Sequence, residues 1–424
     1  MTIDITLQTQ VDTQILEQGA FAPLEFLIDS GRLLHSDYES WRRRQIDSLD
    51  DVLMGSKTKI RAQLDAAIGY ARSIGLVEQP QTFYAWVSSS AAGGASNRGS
   101  ALDPIEEPLR ISTDAALNKL IAGRYVPAQS APQMDLFFDN PVVALTNGIA
   151  RSLSARNLGE TQRQLDRLYA QAPNHADLAA FDRLLEALGH LDRPVAHARQ
   201  ELEFLTDITP AAKRLLSWEA RDLLSPLWQQ LADALKNQPF MAAEPNLHTS
   251  FAFLQALNWA AAAAAVQAEP EWWSHPALCL RLATSSFYQQ RRSDALTAWF
   301  HLCWRAPEQA AEALGNPRQP DTGIKAQWQR FLDSEEDLPS GSADPTLVPA
   351  DFPAWLLLRD PGLTLQLALD LPTGTTPAEE HYRCVHRWID ARRAQRTDEE
   401  MTLRKTLQAR HPSLFRQLKQ GIGM

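Results

Sequence analysis

HPALCLRLATSSFYQQRRSDALTAWFHLCWRAP, residues 275–307, carries two apolar stripes at helical spacing with a reversal between them. Leu278, Leu282 and Ser286 stand four residues apart and share one helical face. Leu296, Trp299, Phe300 and Cys303 form the apolar side of the second half, and 287–292 is where the chain turns back. Neither half is long enough to be stable alone, because helix nucleation is costly and helical stability comes mainly from packing. The halves must cover each other, and further helices must cover what remains.

The order of large and small positions, Leu282 then Ala283, Ala295 then Trp299, closed by Pro307, resembles a tetratricopeptide repeat. Small residues there let helices approach closely and the aromatic fills the gap between units. A second copy runs over 182–210 with Leu185, Ala198, Leu202, Leu205 and the closing Pro210. A third ends at Pro173, with Leu165 and Leu168 in its second helix and Thr161 at the small position. The resemblance covers about half the chain and its period is irregular. It implies an all-α solenoid of antiparallel helix pairs whose concave face holds a protein or peptide.

Composition is that of an ordinary globular chain: 424 residues, 44% hydrophobic, 22% charged, formal charge −10. That charge argues against a whole-protein role in coating nucleic acid. Three scattered cysteines do not make a disulfide scaffold, so a reducing cytoplasm is the expected setting. The N-terminus lacks the basic start and apolar run of a signal peptide, and no apolar stretch is long enough to span a bilayer. No membrane contact is expected.

Five segments follow from the pattern. Residues 1–86 read as a small helical module, with a capping box at Ser36-Asp37-Tyr38-Glu39 and a helical stripe at Ile60, Leu64, Ala67, Ile68 and Ala71. Residues 87–133 are Ser/Ala/Gly/Pro-rich and read as a flexible linker with at most a short helix over 109–121. Its Gly93-Gly94 lacks the lysine and the preceding strand of a phosphate loop. The repeat array occupies 134–332. Within it Thr209-Pro210 reads as a helix start, Pro226 as a kink, and 248–266 as one long helix whose six alanines, 260–265, form a thin, closely packed centre. Residues 333–375 are an acidic, proline-rich connection in which 352–358 docks as either helix or strand. Residues 376–424 read as a pair of basic helices opened by capping boxes at Thr376-Glu379 and Thr397-Glu400; from residue 381 onward there are ten basic and four acidic residues.

Candidate partner-binding residues are exposed arginines and aromatics: Arg42, Arg43, Arg44, Trp272, Trp273, Arg291, Arg292, Arg387, Arg392 and Arg393. The arginine triplet fans around its helix instead of forming one fork. His381, Cys384 and His386 form an H-x-x-C-x-H cluster without a second ligand pair, and no G-x-S-x-G or H-E-x-x-H pattern occurs, so no catalytic residue, metal or cofactor is expected. The expected function is a non-catalytic adaptor or scaffold with a protein or peptide partner. A regulatory subunit whose basic tail binds nucleic acid is the alternative, and a helical enzyme with an unrecognised site the third.

Overall fold

The computed structural model describes residues 5–86, 108–127, 141–316, 319–336, 347–367 and 376–422. They divide into two compact units, 1–258 and 259–424. The protein is, among the described residues, all-α apart from one two-stranded sheet. Among the described residues no helix is long and apolar enough to cross a membrane.

The first unit holds α1 (Ile5–Gln18), α2 (Pro23–Asp29), α3 (His35–Arg42), α4 (Lys57–Ser73), β1 (Leu76–Pro80), α5 (Ala115–Ile121), β2 (Gly123–Pro127), α6 (Pro141–Ser154), α7 (Leu158–Gln171), α8 (Leu178–His190), α9 (Ala198–Leu216), α10 (Ala220–Leu235) and α11 (Thr249–Gln255). The second holds α12 (Trp259–Gln267), α13 (Pro276–Tyr288), α14 (Arg292–Arg305), α15 (Pro307–Gly315), α16 (Thr322–Glu336), α17 (Phe352–Arg359), α18 (Pro377–Arg393), α19 (Thr397–Arg410) and α20 (Pro412–Ile422). From α6 onward, within each unit, a helix packs mainly on the helix next in sequence, the contact pattern of a helical-repeat stack, whereas α1 packs more on α4 than on α2.

One turn recurs. α3, α6, α11, α13 and α18 each end in a left-handed residue, Arg44, Arg156, Leu257, Gln290 and Gln395. The next N–H then bonds back to the carbonyl five residues earlier, as in Asn157 to Ser152 (2.8 Å), Arg291 to Ser286 (2.9 Å) and Arg396 to Ala391 (2.8 Å). In those three cases the same residue is the N-cap of the following helix, so one residue of positive φ folds α6 onto α7, α13 onto α14 and α18 onto α19. A side chain costs about 1–2 kcal/mol in this conformation, and glycine gives part of that back through unfolded-chain entropy. Gln395→Gly is therefore expected to raise stability by about 0.5–1 kcal/mol, and Gln395→Val to lower it by about 1–2 kcal/mol. Chemical denaturation measures both.

The first unit's N-terminal core joins α1–α4 to residues 108–127, where Ile111, Leu117, Ile121 and Tyr125 are buried against Phe21, Trp41 and Leu64. Of the segment expected as a linker, 87–107 and 128–133 lie outside the described residues, while 108–127 belong to this core. β2 pairs antiparallel with β1, Leu76 opposite Pro127 and Pro80 opposite Gly123. A strand pair thus joins a module expected to be purely helical.

Several local expectations are corrected. Pro210 lies inside α9 and closes nothing; the buried face Leu205, Ile208, Ala212 and Leu216 carries the helix through it. Pro226 likewise sits within an unbroken α10. The single helix expected over 248–266 is two, because Leu257 is left-handed and Asn258 bonds back to Phe253. The alanine run is packed on one side only: Ala262 and Ala263 are buried, whereas Ala260 and Ala264 are exposed. Neither Ser36 nor Thr397 caps a helix, since α3 starts after Leu34 and α19 after Arg396 without side-chain caps. Thr376 does cap, accepting the Glu379 N–H at 3.2 Å. Residues 352–358 are helical, and every one of them is buried. The basic tail holds three helices instead of two, the third opening at Pro412.

Candidate functional site

In the second unit, four helix ends surround a cleft of about 260 Å³. α13 ends and α14 begins at the left-handed turn of Gln290, α16 begins at its cap Asp321, and α17 ends at Asp360. The apolar lining comes from Phe287, Ala295, Leu296, Ile324 and Leu356, which lie where the core stripes of these helices reach the surface. Arg292, Asp321 and Asp360 supply its charge. Arg292 and Asp360 are exposed and stand 3.9 Å apart. Asp321 is half-buried and accepts the Ile324 N–H at 3.0 Å. Burial pushes its carboxyl above the usual range, while the N–H groups of Ile324 and Gly323 and the charge of Arg292 pull it back. A Cβ at position 323 would meet Asp321 Oδ1 at 3.2 Å, so the glycine makes room for that carboxylate.

A second cluster joins Asp351, His381 and His411, whose ligand-type atoms lie within 4.8 Å of one another. The set suits a metal by type, but hydrogen bonds already occupy Asp351 and His411. Asp351 Oδ2 accepts the Val348 N–H (3.0 Å) and faces His411 Nε2 (3.0 Å), and Oδ1 faces His381 Nδ1 (3.5 Å). His411 Nδ1 accepts the Leu414 N–H at 3.2 Å and caps α20. That bond places the proton of a neutral His411 on Nε2, where a metal would need a lone pair. The cluster is a hydrogen-bonded tie between the turn before α17, α18 and the start of α20. Hydrogen bonds from the two histidines overcome burial and hold the Asp351 carboxyl at about 2.

The first unit encloses an ion cluster. Arg42 donates to Tyr38 Oη (2.5 Å) and to the Tyr84 carbonyl (3.0 Å), with Asp222 at 3.6 Å. Arg156 donates to Glu39 (3.2 Å) and to the Asp222 carbonyl (2.6 Å), and its guanidinium lies 4.1 Å from the centroid of Trp86. Burial pushes Asp222 up to about 7 despite both arginines. His35 is fully buried beside a polar cleft of about 460 Å³, and burial followed by three nearby arginines lowers it to about 3, so it is neutral.

The arginine triplet divides: Arg42 is interior, Arg43 pairs with Glu39 (3.1 Å) on the wall of the cleft beside His35, and Arg44 occupies the exposed left-handed turn. Trp272 and Trp273 are half-buried; Trp272 meets His301 edge-on, with centroids 5.5 Å apart. Arg291 pairs with Asp294, and Arg292 borders the 260 Å³ cleft. Arg387 is exposed on α18, Arg392 covers Trp388 at 5.5 Å, and Arg393 holds Asp390 (3.2 Å) and the Pro361 carbonyl (3.1 Å). His381, Cys384 and His386 part company: Cys384 faces the Leu403 carbonyl, and His386 lies 3.3 Å from the Leu367 carbonyl. Sequence reasoning missed Asp321, Asp360 and the Asp351 tie. Only Asp321 had a local signal, as a capping residue before a helix. No family model, curated protein or solved structure matches the chain.

Proposed function

We propose that this protein is a non-catalytic adaptor that holds a protein or peptide partner on a tetratricopeptide-like array. The observation that carries this reading is the cleft at the α13–α14 turn: apolar and charged side chains line it together, held by four helix ends. Preformed grooves of this kind bind without an ordering cost in the receptor. Arg292, singled out in the sequence, stands at that cleft. The three cysteines are unpaired, two of them buried, which supports a cytoplasmic setting.

Gln327 lines the same cleft from α16 and is half-buried, so Gln327→Trp should fill the cleft without disturbing the core. Affinity capture from the source lysate at moderate salt is expected to retain a defined protein on the wild type and on Arg387→Glu, and to lose it on Gln327→Trp. An identical set of proteins on all three would remove the cleft from the reading. Loss on Arg387→Glu alone, with nucleic acid in the eluate, would favour the basic tail.

A further inference from the structure

We infer that the cleft at the α13–α14 turn receives a long basic side chain, that of a lysine, from the partner. The inference rests on the adaptor reading and specifies its chemistry. At about 260 Å³ the cleft lies below the ~300–1,000 Å³ usual for whole small ligands. It is of the size to take one side chain. Phe287, Leu296, Ile324 and Leu356 offer a surface for an aliphatic stem, and Asp321 on the same lining offers a carboxylate for the group that ends it.

The sign follows by elimination. α13 and α17 end at the cleft while α14 and α16 begin there, so the helix dipoles oppose one another and side chains set the balance. Those lining it carry one cation, Arg292, and two carboxylates, Asp321 and Asp360. Arg292 faces Asp360 at 3.9 Å and also acts on Asp321, so one cation offsets one of the two carboxylates and the lining keeps a charge of −1. Burial raises the Asp321 carboxyl in spite of Arg292, and a second cation beside it would act against that rise. An apolar side chain entering here would desolvate Asp321 further, and an anionic one would meet two carboxylates. A lysine covers the apolar lining with its stem and brings its ammonium to Asp321.

The test uses the full-length protein and two probes of equal stem, Nα-acetyl-lysine methylamide and Nα-acetyl-norleucine methylamide, titrated by ligand-observed NMR. The lysine probe is expected to bind at least about tenfold more tightly than the neutral one. Asp321→Asn keeps a competent helix cap, and it should bring lysine binding down to the norleucine level. Arg292→Gln should tighten lysine binding, a gain that general damage would not produce. Equal or tighter binding of norleucine, unchanged binding in Asp321→Asn, or no binding of either probe overturns the inference. The adaptor reading is judged separately, by whether the captured partner is lost on Gln327→Trp.

Discussion

Arg42→Ala is expected to lower the stability of the 1–258 unit by about 3–5 kcal/mol, because it breaks a buried ion pair from one side. The side chain is 13% exposed and holds three groups: the Tyr84 carbonyl, the Tyr38 hydroxyl and Asp222. Alanine strands the Tyr84 carbonyl and leaves the buried Asp222 carboxyl with the Tyr38 hydroxyl (3.4 Å) and no cation in its former place, which is the more expensive loss. The loss should depend on pH. Burial raises Asp222 to about 7 in the folded protein, against about 3.9 for an unfolded aspartate. A carboxyl raised on folding favours the folded state at low pH, and that advantage is lost as pH climbs from about 4 through about 7. Without Arg42 the folded carboxyl moves higher still, so the deficit should be larger at pH 8 than at pH 5. Urea denaturation of wild type and variant at both values measures it. A loss below about 1 kcal/mol, equal at both pH values, would mean that Arg42 is no more than a solvated surface arginine.

Asp351→Ala should cost about 3 kcal/mol in the 259–424 unit, since it leaves the Val348 N–H and the His411 N–H without their buried acceptor. Here the pH dependence runs the other way. The histidine hydrogen bonds outweigh burial and hold Asp351 at about 2, below its unfolded value. Its contribution is therefore complete above about pH 4 and falls away as pH drops through about 2, an effect of about 2–3 kcal/mol. Acid titration of the two stabilities should show the wild type's advantage over Asp351→Ala shrinking between pH 5 and pH 2. A constant offset across that range would show that the carboxylate is not what ties α18 and α20 to the turn before α17.

These two sites were hidden from the sequence for one reason. Arg42, Asp222 and Arg156 are far apart along the chain, and so are Asp351, His381 and His411. Each is an ordinary charged or polar residue in its own segment. Arg42 sits beside Arg43 and Arg44 and looks like a solvated helix surface, yet the packing of α3 near α10 and Trp86 takes it inside. His381 was grouped with Cys384 and His386 by spacing. Helical geometry separates them, and the fold gives His381 a neighbour 30 residues away.

The helix pairs, by contrast, were legible. The stripes of 275–307 are enough to define α13 and α14, because a period of 3.6 in apolar residues has no stable solution other than a helix covered along one face. Where helices turn was less visible: Arg156, Leu257, Gln290 and Gln395 occupy left-handed positions that sequence reasoning reserves for glycine. Tertiary packing supplies the 1–2 kcal/mol such a residue costs, and nothing local announces it. The same override carries Pro210 and Pro226 through the interiors of α9 and α10.

By itself, then, the sequence determined the fold class, the α13–α14 hairpin and the apolar faces, all of which depend on residues within one or two turns of each other. Only the tertiary structure decided the cleft beside Arg292, the burial of Arg42 and the Asp351 tie. Each depends on groups from helices that are distant in the chain, and the cost of burying a charge is settled by what arrives beside it.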